Sequence, residues 1–202
     1  QVWYNTTSNV LKGQGATTSG SWSTQNSMNT ARQALGGSGS STAALAFAGV
    51  GGGPTNDPQD VTELWNGTNW TEVNDLNTAR GYVGGSGTST STLAFGGNSP
   101  NKTETELWNG TNWTEVNDLN IGASQPGSAG VDSTSALAFG GSPYPSRADV
   151  TEQWNGTNWT EVNDLNTNKN QIGGSGTYTE ALGFGGDDGS STLADAELWN
   201  GT

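Results

Sequence analysis

Side chains capable of catalysis are few in this sequence. It contains no histidine and no cysteine, which removes the usual general base, the thiolate nucleophile and the commonest ligand of transition metals. Carboxylates remain, but Glu63, Glu72 and Asp75 recur in every copy of one repeated segment. Since a glycoside hydrolase needs one asymmetric carboxylate pair at one site, the repeated carboxylates indicate solvated side chains. We expect a protein that is not an enzyme.

Two oxygen-rich segments could hold a hard cation. They are NDPQD at Asn56 to Asp60 and GDDG at Gly186 to Gly189, and both contain the carboxylate and amide oxygens that Ca²⁺ prefers. Neither has the spacing of an EF-hand loop, and turn formation is an ordinary role for Asn and Asp. We therefore predict turns and no cofactor, with Ca²⁺ binding as the alternative.

Asn-X-Thr sequences offer a second kind of modification chemistry, since they are glycan acceptors in secreted eukaryotic proteins. The repeated ones are at Asn66, Asn69, Asn109, Asn112, Asn155 and Asn158. The same residues suit a tight hairpin, because Asn-Gly is favoured in two-residue turns in which both residues take positive φ. Hairpin formation is the preferred interpretation, and glycosylation is the alternative.

Nine tryptophans are the largest side chains of the sequence. Their flat faces could stack on sugar rings, but tryptophans that recur at strand positions more often form a core, because each buries a large apolar area. The predicted core tryptophans are Trp22, Trp65, Trp70, Trp108, Trp113, Trp154, Trp159 and Trp199.

A tandem repeat contains these tryptophans. The segment Glu63 to Asn77 recurs from Glu106 to Asn120, and again from Glu152 to Asn166 with Gln153 as its only change. Another copy begins with AELWNGT near the end of the sequence. Successive marker tryptophans at 65, 108, 154 and 199 are separated by 43, 46 and 45 residues, within the range of about 40 to 50 that is typical of propeller blades.

Each repeat predicts four short antiparallel strands. After Arg80 come a glycine-rich stretch, the run STLAFGG, the alternating TETELWNG and the segment NWTEVND. No segment has the apolar period of 3.6 residues that a helix requires. Inner strands with small side chains and outer strands with tryptophan fit a propeller blade, which is narrow near the central channel and wider at its outer edge. The predicted fold is all-β, a β-propeller of about four blades with four antiparallel strands each.

The repeat resembles the kelch repeat, which has a Gly-Gly pair after an apolar strand, an aromatic in the next strand, a tryptophan in the last and then an arginine. The pairs are Gly96-Gly97, Gly140-Gly141 and Gly185-Gly186, and the arginines are Arg32 and Arg80. Units three and four depart from the pattern, with Ala123 and Lys169 in place of arginine. The asparagine- and threonine-rich repeats are also similar to those of tail or appendage proteins of marine bacteriophages.

The ends of the sequence suggest how the ring closes. Trp22 precedes an NTAR segment by seven residues, as Trp70 does, so we predict that Trp22 supplies the fourth strand of the last blade. Residues 20–202 then form the propeller, and residues 1–19 are an extension or arm. In the alternative, Trp3 belongs to an earlier blade and the sequence is a fragment of a larger propeller.

Charge and loop variation indicate the kind of partner. The net charge of −13 repels nucleic acid and anionic lipid, and no apolar run approaches the ~20 residues that span a bilayer. Loops after the Gly-Gly pairs vary and share one face, which is typical of a contact surface. The candidate contact residues are Asn56, Asp57, Asp60, Asn98, Asn101, Tyr144, Asp187 and Asp188.

These observations predict a non-enzymatic structural or adhesion module of an extracellular appendage, such as a phage tail, a virion or a surface filament. Its partners would be other copies of itself or other appendage proteins. The alternative is a lectin-like propeller that binds surface glycans through its rim loops.

Overall fold

The computed structural model describes residues 2–5, 10–13, 20–98, 102–142 and 149–201. Its strands, in chain order, are β1 Val2–Asn5, β2 Val10–Gly13, β3 Arg32–Gln33, β4 Gly36–Ser40, β5 Ala43–Phe47, β6 Val50–Gly51, β7 Thr62–Trp65, β8 Trp70–Glu72, β9 Gly84–Thr88, β10 Ser91–Phe95, β11 Thr105–Trp108, β12 Trp113–Val116, β13 Gly127–Ala129, β14 Ala136–Phe139, β15 Thr151–Trp154, β16 Trp159–Glu161, β17 Gly173–Gly176, β18 Ala181–Phe184 and β19 Ala196–Trp199. No helix occurs in these residues.

Four antiparallel sheets form the blades of a β-propeller. Blade 1 consists of β4, β5, β7 and β8, blade 2 of β9 to β12, blade 3 of β13 to β16, and blade 4 of β17 to β19. The first strand of each blade lies beside the first strand of the next, so the glycine-rich strands are innermost. The predicted all-β propeller of four blades is confirmed. Two short pairs lie outside the blades, β1 with β2 and β3 with β6.

Glycine in the first strand makes room for an aromatic ring in the second. Gly84 and Phe95 are directly opposite in the β9–β10 pair, and a Cβ atom on Gly84 would lie 2.3 Å from the Phe95 ring. Phe95 is fully buried. A larger residue at position 84 would therefore displace the ring that fills the blade core.

Neighbouring blades are joined by an aromatic contact that repeats along the chain. Trp113 of blade 2 packs on Phe47 of blade 1 with ring centroids 5.2 Å apart, and Trp159 of blade 3 packs on Phe95 of blade 2 at 4.9 Å. The Trp113 Nε1–H also donates to Thr62 Oγ1 of blade 1 at 2.9 Å. Each such tryptophan thus buries its apolar face and satisfies its one polar group across the blade boundary.

The Gly-Gly pairs form the second contact between blades. Gly96 and Gly97 both have positive φ, +67° and +121°, which favours glycine because a Cβ would clash with the backbone. The Gly97 N–H donates to the carbonyl of Ala123 in the link to blade 3 at 2.8 Å. Gly141 donates in the same way to the Lys169 carbonyl at 3.0 Å, so these two pairs turn the chain and bind the link to the next blade.

The hairpins between the tryptophan strands differ from the predicted Asn-Gly turn. The Asn66 N–H donates to the Asn69 carbonyl, which places Gly67 and Thr68 at the centre, and of these two only Gly67 has positive φ, +92°. Glycine at the first central position is the type II′ arrangement. The hairpin itself is confirmed, but its central pair is Gly-Thr.

The prediction that Trp22 supplies the fourth strand of blade 4 is wrong. Trp22 is fully exposed, and blade 4 has three strands in the described residues. The segment that follows Trp22 lies along blade 1, where Asn26 Nδ2 donates to Asn69 Oδ1 at 2.8 Å. Asn74, four residues after Trp70, contacts Asn112 in the same way. Trp22 does correspond to Trp70, but this segment contacts the blade next to it in sequence.

The other predicted core tryptophans fall into two groups. Those of the interior are buried, namely Trp65, Trp108, Trp113, Trp154 and Trp159. Trp70 in blade 1 and Trp199 in blade 4 are half-buried. The core prediction is therefore correct for five tryptophans, partly correct for two and wrong for Trp22.

Candidate functional site

The predicted contact loops lie at one end of the blades, where the second strand ends and the third begins; we call this the loop end. Asn56 and Asp57 are exposed there, whereas Asp60 is half-buried. Asp57 Oδ2 accepts a hydrogen bond from the Thr55 hydroxyl at 2.8 Å, and Asn56 Oδ1 accepts one from Gln33 Nε2 at 3.2 Å. These side chains stabilise their own loop and leave part of its surface accessible.

Three other predicted contact residues have roles within turns or between loops. Asn98 Oδ1 accepts from the Gly81 N–H at 3.2 Å, so it joins its loop to the preceding link. Asp187 Oδ1 accepts from the Gly189 N–H, and Asp188 Oδ1 accepts from two serine N–H groups. These are the turn contacts that the sequence predicts. Asn101 and Tyr144 lie outside the described residues.

The described residues contain neither a cluster of metal ligands nor a membrane-spanning helix. In residues 2–5, 10–13, 20–98, 102–142 and 149–201, no three Asp or Glu side chains come together in a way that could hold a metal ion. The same residues contain no helix that is long and apolar enough to cross a membrane.

The sequon asparagines lie at the opposite end of the blades, the hairpin end. All six, Asn66, Asn69, Asn109, Asn112, Asn155 and Asn158, are exposed. The first asparagine of each hairpin caps the turn, since Asn66 Oδ1 accepts from the N–H groups of Thr68 and Asn69 at 3.0 and 2.9 Å. The residue type is thus explained by hairpin formation, as predicted.

Asparagine pairs also connect consecutive blades. Asn74 Nδ2 donates to Asn112 Oδ1 at 2.7 Å, and Asn117 Nδ2 donates to Asn158 Oδ1 at 2.8 Å. Sequence reasoning did not find a role for Asn74 and Asn117. Their recurrence in the repeated segment was the only indication of a shared role. The alternation of residues along a strand does not show which neighbouring blade a side chain contacts.

Buried ion pairs occupy the junctions between links and blades, contrary to the prediction that the repeated carboxylates are solvated. Arg32 Nη1 lies 2.6 Å from Glu63 Oε1, and both side chains are fully buried. The Asn29 N–H donates to Glu63 Oε2 at 2.7 Å. Glu72, opposite Glu63 in the sheet, is exposed as predicted, and Asp75 is exposed with its Oδ1 accepting from the Thr62 N–H at 2.9 Å.

We number each junction by the blade that follows the link. The second and fourth junctions repeat this arrangement with different distances or a different cationic residue. Arg80 Nη2 lies 3.3 Å from Glu106 Oε1, and burial lowers the pKa of Arg80 despite the nearby Glu106 charge. Lys169 Nζ lies 2.9 Å from both Asp195 Oδ2 and Glu197 Oε1. Burial lowers the pKa of Lys169, but hydrogen bonds to Asp195 and Glu197 outweigh it and raise the pKa above its ordinary value. Lys169 thus replaces arginine in unit four.

The pH dependence of stability offers a test of the Glu63 ion pair. Burial raises the pKa of Glu63, but the N–H of Asn29 and the guanidinium of Arg32 outweigh it and hold the pKa below its ordinary value of 4.5. A carboxylate with a lowered pKa stabilises the fold above its ordinary pKa, and this contribution is lost as the pH falls through its folded value. We therefore expect the stability difference between the wild type and Glu63→Gln to be largest at neutral pH and to shrink below pH 4.5.

The measurement is urea unfolding of both proteins from neutral pH down to about pH 3, which spans the titration of a lowered carboxyl pKa. The comparison with Glu63→Gln removes the general effect of relieving the net charge of −13. A stability difference that stays constant over this range would contradict the assignment.

No protein-family model and no curated protein sequence matches this chain. The fold assignment therefore rests on the blades and their contacts.

Proposed function

We propose that this chain is a non-enzymatic structural module of an extracellular appendage, such as a phage tail, a virion or a surface filament, and that its repeats are of the kelch type. In this proposal the propeller associates head to tail with copies of itself. The observation that carries it is an apolar face of blade 4 that is exposed, although the same face is covered in the preceding blades.

Three side chains define this face, which we call the blade 4 face. Leu182, Phe184 and Leu198 are 40%, 44% and 77% exposed. Their counterparts in blade 2 are Leu93, Phe95 and Leu107, of which the first two are fully buried and the third is half-buried. Contiguous exposed apolar surface of this kind is typical of interaction sites.

Blade 1 has the complementary face. In blades 2 and 3, a tryptophan of the fourth strand covers the phenylalanine of the preceding blade. Trp70 has the same position in blade 1 and is half-buried. A second copy whose blade 1 packs on the blade 4 face would place Trp70 over Phe184, and thereby repeat the contact that already joins the blades within the chain.

Residues 22–28 would complete the same interface. They correspond to the fourth strand of a blade that precedes blade 1, and blade 4 has three strands in the described residues. Added to the edge of β19, this segment would pair Trp22 with Trp199, as Trp65 pairs with Trp70 at 5.5 Å. Strand addition of this type gives affinity through main-chain hydrogen bonds. Repeated head-to-tail contacts generate rings or filaments, which fits a role in an appendage.

The acidic surface is consistent with this role. A net charge of −13 favours solubility and disfavours nucleic acid as a partner. We propose an extracellular or virion location, with no insertion into a membrane.

Sedimentation velocity over a range of protein concentrations tests the proposal. We expect the wild type to associate as concentration rises, and we expect Leu198→Ser and Trp22→Ser each to weaken association about tenfold or more, as for central interface residues. Val131→Ser is the matched control, because Val131 is 62% exposed but belongs to the link between the first two strands of blade 3. Electron microscopy should show ordered assemblies of the wild type.

A wild type that stays monomeric at every concentration would contradict self-association. Equal weakening by Val131→Ser would show that apolar exposure in general, and not the blade 4 face, causes association.

A glycan-binding module is the second candidate function. The fully exposed ring of Trp22 favours it, because an exposed indole offers a flat apolar face to a sugar. Glycan-array binding that disappears in Trp22→Ser, together with unchanged sedimentation, would support this function over the structural one.

A further inference from the structure

Three blade junctions share one arrangement, in which a cationic side chain of the link lies against a glutamate on the third strand of the following blade. The pairs are Arg32 with Glu63, Arg80 with Glu106, and Lys169 with Glu197. The cationic side chain is fully buried in each. The arrangement therefore places one positive charge beside each junction glutamate.

The third junction, between the link from blade 2 and blade 3, has the glutamate but lacks the cationic side chain. Ala123 stands at the position of Arg32 and Arg80, and Glu152 is 3% exposed. Glu152 accepts hydrogen bonds from the Asn120 N–H at 2.9 Å, the Asn120 side chain at 2.7 Å and the Ile121 N–H at 2.9 Å. All three donors are neutral.

No described lysine or arginine forms a salt bridge with Glu152. Lys102 is close to this junction in the backbone, since its carbonyl accepts from the Ala123 N–H at 3.1 Å. Its Nζ, however, lies 2.9 Å from Glu104 Oε1 of blade 2. A buried carboxylate without a counter-charge is costly, so a cation beside Glu152 would stabilise this junction.

A cavity lies where the missing side chain would be. It is lined by Glu152, Ile121, Ala123 and Ala138, together with apolar neighbours. Its interior has room for about one water-sized group. The substitution of arginine by alanine thus leaves space for a compact ligand beside the carboxylate.

The oxygen atoms that face this cavity can be inferred by comparison with the first junction, where Arg32 occupies the equivalent position. There the Arg32 guanidinium donates to the carbonyl oxygens of Ala46 and Thr30, at 3.1 and 3.4 Å, as well as to Glu63. Ala138 and Ile121 have the positions of Ala46 and Thr30 in the third junction. A cation in the cavity would therefore meet one carboxylate and two carbonyl groups.

We propose that the third junction binds a compact monovalent cation, Na⁺, K⁺ or NH₄⁺, which takes the place of the arginine head group. One carboxylate balances one positive charge. A divalent cation such as Ca²⁺ would leave one buried positive charge unbalanced, and larger organic cations exceed the volume of the cavity. The bound ion would join the link to blade 3 as Arg32 joins its own link to blade 1.

Thermal unfolding of the whole chain tests the proposal. Melting temperatures are compared at constant ionic strength in NaCl, KCl, NH₄Cl and choline chloride, since choline is too large for the cavity. We expect at least one small cation to raise the melting temperature by about 2–4 °C over choline, the shift of a modest stabilisation in a domain of this size. The rise should saturate with concentration, as for a single site.

Two variants assign the effect to this cavity. Ala123→Arg supplies a tethered guanidinium, so it should raise the melting temperature in choline and abolish the difference between salts. Asn168→Arg adds the same charge at an exposed position of the next link, so it should leave that difference unchanged. Melting temperatures that are equal in all four salts, or a difference that persists in Ala123→Arg, would overturn the proposal.

Sodium NMR provides a measurement that does not depend on how Ala123→Arg folds. The wild type should broaden the sodium signal, KCl or NH₄Cl should reverse the broadening, and Glu152→Gln should reduce it. Broadening that is equal for the wild type and Glu152→Gln would place bound sodium elsewhere and contradict the site.

Discussion

Trp108→Ala is expected to cost about 3–5 kcal/mol of stability, the usual loss for an aromatic residue deleted from a core. Trp108 is 1% exposed, and its Nε1–H donates to the Ser89 carbonyl at 3.1 Å. Its ring lies 5.5 Å from that of Trp113, which in turn packs on Phe47 of blade 1. Removal therefore opens a cavity inside blade 2 and loosens its contact with blade 1.

Trp199→Ala is the matched control, because Trp199 has the same place in the repeat but is half-buried in blade 4. We expect this variant to lose about 1 kcal/mol, the typical effect of a point substitution. Urea unfolding followed by circular dichroism measures both losses. Equal losses would contradict the smaller loss that the half-burial of Trp199 predicts.

Glu63→Gln is expected to cost about 3–5 kcal/mol, because it leaves the fully buried Arg32 guanidinium without its counter-charge. Glu72→Gln is the control. Glu72 is the cross-strand neighbour of Glu63 but is exposed, so its substitution should change stability by no more than about 0.5 kcal/mol. Urea unfolding at neutral pH compares the two variants.

Replacing both members of the pair distinguishes a broken ion pair from a general packing defect. Arg32→Met combined with Glu63→Leu removes both charges and keeps the volume. Such replacements of a buried pair are often neutral or stabilising, so the double variant should recover most of the stability lost in Glu63→Gln. A double variant less stable than Glu63→Gln would mean that the hydrogen bonds from Asn29 to Glu63, and not the charge pair, are the main contribution.

Strand positions could be predicted from the sequence in good detail. The run STLAF became β10, the alternating TELW became β11 and WTEV became β12. The turns between them were located correctly, although the hairpin is centred on Gly-Thr. These features depend on residues close together in sequence, where alternation and glycine content are sufficient evidence.

Burial of the charged residues could not be predicted in the same way. Glu63 and Glu72 look alike in the repeat, but one is fully buried and the other exposed. The two side chains lie on the same face, since they are directly opposite in the sheet. The difference arises because the link that carries Asn29 and Arg32 covers Glu63 on the third strand, whereas Glu72 lies on the edge strand β8. A strand pattern shows which residues share a face, but it does not show what covers that face.

The all-β class, the number of repeats, the order of the strands and most of the tryptophan core could be predicted without the structure, because they depend on local periodicity and on the size of the side chains. Three features could be found only in the folded chain: Trp22 is exposed, the repeated glutamates at the junctions are buried, and Leu198 faces solvent. Those features depend on contacts between residues that lie about one blade apart, and such contacts leave no local pattern. The role of a position at which the repeats differ, such as Ala123, can be assigned only from its contacts with the neighbouring blade.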